Sequence, residues 1–152
     1  MSNGNRQIPY GAFNFQVSIP ELDPQDHVTG GFSDVSGLGT EFTVAEYRTG
    51  NAKGNHVRKV AGLFKVSDVT LKRGLINTKK MWEWIEAVRT TGSLARKDVV
   101  ITLQDEAGEP AASWTLRGAI PLKWTGPTLA AKAHGDVAME EIVLSIESLE
   151  LN

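Results

Sequence analysis

The side chains that could do chemistry are few and poorly spaced for it. His27, His56 and His134 lie far apart, with no HExxH pair to set two imidazoles on one helical face for a metal. Ser36 is followed by Gly37 and Leu38 but lacks the upstream glycine of a nucleophile elbow. The glycines of GGFSDVSGLG fall at the wrong intervals for a dinucleotide-binding turn, and no phosphate-cradling GxxxxGK loop is present. Glu140 and Glu141 are neighbours within a strand pattern, so they point to opposite faces and do not share one substrate. Cysteine is absent, which excludes disulfides, thiolate metal sites and thiol nucleophiles. The residues therefore mark no enzyme, no metal site and no cofactor site.

The remaining charge chemistry is ionic docking. The stretch TGNAKGNHVRKVAG, Thr49 to Gly62, reads as a long connection carrying Lys53, His56, Arg58 and Lys59, and DEAGEP reads as a hairpin turn carrying Asp105, Glu106 and Glu109. One reading of the basic loop is a solvated hairpin tip; the other is a loop that docks on an acidic patch of another chain.

The elements that would position these charges are mostly strands. Phe13, Phe15, Val17 and Ile19 alternate with Asn14, Gln16 and Ser18, the period of a strand with one buried face. Further strands are predicted over Thr29 to Val35, Glu41 to Arg48 and Leu63 to Lys72, with a corner at Gly37 and Gly39. Gly74 ends the strand pattern, Asn77 or Thr78 is placed to cap a helix, and Met81, Ile85 and Val88 recur on one helical face. Trp82 and Trp84 widen that face or flank it, as core packing or as a partner surface. Asp98 to Gln104 and Ala111 to Ile120 form a hairpin about the acidic turn, with Trp114 and Leu116 on a common face. Pro121 and Pro127 bracket LKWTG, which suits an edge or corner that holds Trp124, and Val137 to Leu151 reads as the last strand. The sum is an α+β chain, mainly β: an antiparallel sandwich or barrel with one flanking helix and long hairpins.

Composition narrows the function classes. The chain has 152 residues, 41% hydrophobic and 22% charged, with a net charge of −2, which predicts one globular domain over residues 1–152 with a flexible stretch at 1–9. A basic excess suited to nucleic acid is missing. No secretory apolar region opens the chain and no apolar run approaches the ~18–20 residues of a membrane span, so synthesis and residence in the cytoplasm are expected. Two classes stay open: a β-rich subunit that self-associates through unpaired sheet edges, and a monomeric β-barrel binding a small ligand or single-stranded nucleic acid, with Trp114 and Trp124 as stacking platforms.

Four segments, GGFSDVSGL, VTLKRGL, MWEWI and WTLRGAIPLKWTGP, in this order and with the closing AMEEIVLSIESLEL, resemble the T4-like phage tail tube family. The likeness spans nearly the whole chain and extends to inner tube subunits of extracellular contractile injection systems. It implies a structural subunit whose six-fold rings join strands into a continuous inner β-barrel and stack into a hollow tube inside a contractile sheath. The implied partners are further copies of the chain, sheath protein, baseplate or spike and tube-terminating proteins, and cargo or phage DNA in the lumen, with no stable membrane association.

Overall fold

The computed structural model describes residues 8–11, 14–22, 32–47, 50, 57–74, 79–131 and 137–152. Alternation makes strands: β1 (Phe15–Ser18), β2 (Phe32–Ser36), β3 (Thr40–Tyr47), β4 (Arg58–Val66), β5 (Val69–Gly74), β6 (Lys97–Gln104), β7 (Pro110–Thr125), β8 (Met139–Ser145) and β9 (Ser148–Leu151). Helix α1 (Lys79–Thr91) and a 3-10 turn at Gly92–Ala95 sit between β5 and β6. Every strand pairing is antiparallel.

The long strand β7 joins two halves of one sheet. Its first part lies between β6 and β9, and beyond β6 lies β1. Its second part, Ile120 to Thr125, pairs with β8, which continues to β5 and β2. The inner faces of both halves meet in one core built from Val17, Val69, Leu71, Val99, Ile101, Leu116, Ile142 and Leu144, and α1 closes it with Met81 and Trp84. Trp84 is 1% exposed and its indole N–H donates to the Ala95 carbonyl at 2.7 Å, which ties the helix to the turn that follows it. Among the described residues the halves pair nowhere else, so the fold is an open sandwich rather than a closed barrel.

The corner in β7 is held by charges. Gly118 has φ 63°, a left-handed conformation that glycine adopts without strain, and its N–H donates to Asp98 Oδ1 at 3.1 Å. Arg117 donates to Asp98 at 2.8 Å and to Glu150 at 3.2 Å, while Arg96 donates to the Gly118 carbonyl at 2.7 Å. The Gly118 N–H and the Arg117 guanidinium hold the Asp98 carboxyl below its ordinary range.

Several boundaries differ from the sequence expectation. Pro121 does not end β7; it pairs with Leu144, and the strand runs on to Thr125. The strand expected over Leu63 to Lys72 is two strands, β4 and β5, divided at Ser67 and Asp68. The strand expected over Val137 to Leu151 breaks at Ile146 and Glu147, where the chain follows the corner of β7. The cap candidates Asn77 and Thr78, and Phe13 of the first strand, lie outside the described residues.

Candidate assembly surface

The first two strands of this surface leave the body altogether. Among the described residues β3 pairs only with β4, and every residue of the two is exposed except Thr43 and Val66. β2 runs into β3 and β4 into β5, so this arm is the β2–β5 hairpin prolonged past an elbow. Gly37 makes the elbow: its φ is 90°, and a Cβ there would overlap the Asp68 carbonyl oxygen. Ser67 N–H donates to the Gly39 carbonyl at 3.1 Å, bracing the bend.

The arm carries exposed apolar side chains on both faces. Phe42 pairs with Phe64, ring centroids 5.1 Å apart, and Val44 lies opposite Ala61 on the same face. Ala45 and Val60 pair on the other face, next to Tyr47 and Arg58. Between Phe42 and Val44 the register shifts, and the Leu63 N–H donates to Thr43 Oγ1 at 2.7 Å, which fills the irregularity. Phe42 is 60% and Leu63 73% exposed. A water-facing hairpin alternates apolar with polar, and an isolated two-stranded ribbon is at best marginally stable. This pattern suits a hairpin covered on both sides.

The body presents the complementary feature, open sheet edges. Among the described residues, β2 has no strand partner on the side away from β5, and β7 from Ile120 to Thr125 has none on the side away from β8. Beside β2 an apolar cleft of about 270 Å³ opens between the halves, lined by Phe15, Val35, Leu38, Ile101, Leu103 and Trp114, with Asp34 at its margin.

The docking residues fall as follows. Arg58 and Lys59 are not in a loop: they open β4, facing Tyr47 and Glu46, because the β pairing of the arm extends below Gly62. Lys53 and His56 lie outside the described residues. In the acidic turn, Asp105 Oδ1 accepts from the N–H groups of Ala107 and Glu109, both at 2.9 Å, so Asp105 shapes the turn while Glu106 and Glu109 are exposed on it. Met81 is buried and Ile85 half-buried; Trp82, 46% exposed, meets Trp124 edge-on at 5.4 Å, and the Trp124 N–H donates to Glu140 at 3.0 Å. Trp114 lines the cleft rather than an open face. The apolar arm is not among the sequence expectations, although runs such as FTVA and VAGLF, with apolar residues on both strand faces, carry its signal. Among the described residues no group of three or more acidic or histidine side chains could hold a metal, and no helix is long and apolar enough to cross a membrane.

Comparisons with known proteins fit this architecture. The chain matches no sequence among curated proteins. It is similar to a chain of the PVC sheath–tube complex of an extracellular contractile injection system, in the extended state, with 26% identity, 96% of this chain and 93% of that chain covered, and a TM-score of 0.80. It is similar also to a chain of the anti-feeding prophage tube-terminating cap, with 27% identity, 99% and 95% covered, and a TM-score of 0.81. A chain of the PVC sheath/tube terminator matches at 27% identity, 96% and 98% covered, with a TM-score of 0.80. The family model of the T4-like virus tail tube protein gp19 matches residues 11–150. With that match spanning nearly all of its strands, the chain belongs to the T4-like tail tube protein family and is a structural tube subunit.

Proposed function

We propose that copies of this chain close into hexameric rings that stack into the hollow inner tube of a contractile injection particle or contractile phage tail. The observation that carries it is the arm, β3 and β4, whose apolar side chains on both faces are exposed among the described residues. The half-sheet β7–β8–β5–β2 has four strands of alternating direction. The free edge of β2 therefore meets the free edge of β7 in the next copy antiparallel, as every pair within the chain is. A head-to-tail contact of this kind closes when the rotation allows, and closure removes the exposed edges.

The basic start of β4, Arg58 and Lys59, docks near the acidic turn of Glu106 and Glu109 on a neighbouring copy, setting orientation more than affinity. Sheath protein surrounds the tube, baseplate and terminating proteins bound it, and cargo or DNA passes through the lumen after assembly in the bacterial cytoplasm. The likeness to PVC and anti-feeding prophage chains supports these partners and favours the injection particle. The sheath supplies the energy of contraction, and the subunit catalyses no reaction. The 270 Å³ cleft favours one other reading, a monomer that binds a small apolar ligand, although it is slightly below the ~300–1,000 Å³ usual for such sites.

Electron microscopy of the purified chain over a concentration series, paired with sedimentation, separates the two. Rings or tubes with a central hole are expected. A monomer at every concentration, even when co-expressed with the neighbouring sheath and baseplate genes, refutes the tube.

A further inference from the structure

Among the described residues, the buried charged side chains are Arg73 and Glu140, 3% and 4% exposed. They are cross-strand partners on the core faces of β5 and β8, with Arg73 Nε donating to Glu140 Oε1. The other carboxylate oxygen accepts the Trp124 N–H of β7 at 3.0 Å, and the Arg73 guanidinium carbon lies 5.0 Å from the centre of the Phe32 ring on β2. Trp124 in turn meets Trp82 of α1. One row of contacts thus crosses the half-sheet from its β2 edge to its β7 edge.

We propose that this ion pair is the register lock of the half-sheet and, through it, the determinant of ring geometry; the second part rests on the ring assembly proposed above. Burying an ion pair gains little over packing an apolar pair in the same space, so stability alone does not explain it. Register does. Alternation excludes a slip of one residue between β5 and β8, because that would turn every core side chain outward. It does not exclude a slip of two. Native pairing sets Val69 against Leu144 and Leu71 against Ile142. A slip of two in one direction sets Val69 against Ile146 and Leu71 against Leu144, apolar on apolar as before. Only Arg73 objects, because it then faces Ile142, and Glu140 loses its partner. In the opposite direction Glu140 faces Leu71. Either way two buried charges lose each other.

The consequence reaches the ring. A two-residue slip moves the β2 edge relative to the β7 edge by about 7 Å along the strands. In a closed barrel, strand number, stagger and diameter are linked, so a mixed register yields mixed rings.

The absence of cysteine allows a direct test. Thr70 and Val143 are partners on the outer faces of β5 and β8, so Thr70→Cys with Val143→Cys reports native register, whereas Thr70→Cys with Ser145→Cys reports the slip. Each pair is placed in the unaltered background and in an Arg73→Met/Glu140→Met background, and oxidation is followed together with thermal unfolding and ring mass. In the unaltered background the native pair is expected to cross-link at least about tenfold faster than the slipped pair. In the double-Met background the chain is expected to stay folded, lose most of that preference and give rings of more than one mass; a charge swap, Arg73→Glu/Glu140→Arg, should recover much of it. A double-Met variant with undiminished preference overturns the register lock, and so does one that no longer folds, since the pair would then be a stability element. Rings of one mass from a slipped double-Met variant overturn the link to ring geometry. Absence of rings from the unaltered chain counts against the tube reading alone, because the cross-linking preference still decides the register.

Discussion

The body and the arm of this subunit spend similar apolar residues in opposite ways. In the body, Leu71, Leu116, Leu144 and Trp84 are buried within one copy. In the arm, Phe42, Val44, Leu63 and Phe64 face water, although the β pairing that carries them is as regular as in the body. Strand formation and burial are thus separate events in this chain. The body satisfies both within one copy, while the arm satisfies only the first and, in the proposed assembly, takes the second from neighbouring copies.

Substitutions that divide the two regions should separate folding from assembly. The largest effect on folding is expected from Trp84→Ala, which empties a buried site and leaves the Ala95 carbonyl without its donor. Denaturant unfolding should show a loss of about 3–5 kcal/mol, and assembly would fail because the monomer fails. Phe42→Ser combined with Phe64→Ser should do the reverse. Unfolding of the soluble monomer should change by less than about 1 kcal/mol, as for exposed positions, while the concentration needed for assembly rises roughly tenfold or more. A double-Ser variant that assembles normally would refute the arm as the joining element.

A smaller effect is expected from charge. Arg58→Glu with Lys59→Glu sets a like charge against Glu46 and reverses the proposed docking charge, so ring closure or stacking should weaken and become more salt-dependent. Normal tubes from this variant at low salt would remove these residues from the interface.

The smallest effect concerns the corner of β7 and should be confined to the body. Asp98 has its folded pKa lowered, first by the Gly118 N–H and then by Arg117. A carboxyl held below its unfolded value stabilises the fold above that value, about 3.9, and loses the contribution as pH falls through the folded pKa. Monomer unfolding between pH 7 and pH 3 should therefore show a decline at the acid end that Asp98→Asn flattens. An equally steep decline in the Asn variant would assign acid sensitivity to other carboxylates.

Local pattern accounts for much of what the chain is. Alternation in Val99, Ile101 and in Ile142, Leu144 is visible without coordinates because each strand carries its own record of which face meets the core. The helix and the absence of spaced catalytic groups are equally local, and the order of the family segments was enough to suggest a tube subunit. The arm was half visible. Gly, Asn and positive charge around Lys53 suggested a loop, but Arg58 to Gly62 belongs to a strand because pairing with β3 outweighs weak local propensity.

Tertiary structure alone decided the rest. Pro121 looks like an end, yet β7 continues through it because the sheet offers an edge there. Arg73 falls just past the strand expected over Leu63 to Lys72, and Glu140 reads as one of two adjacent acids; nothing near either marks a buried charge. Their partnership spans 67 positions and exists only once β5 and β8 lie side by side. A strand records its own faces, but a charge is buried or solvated according to a neighbour that distant sequence supplies.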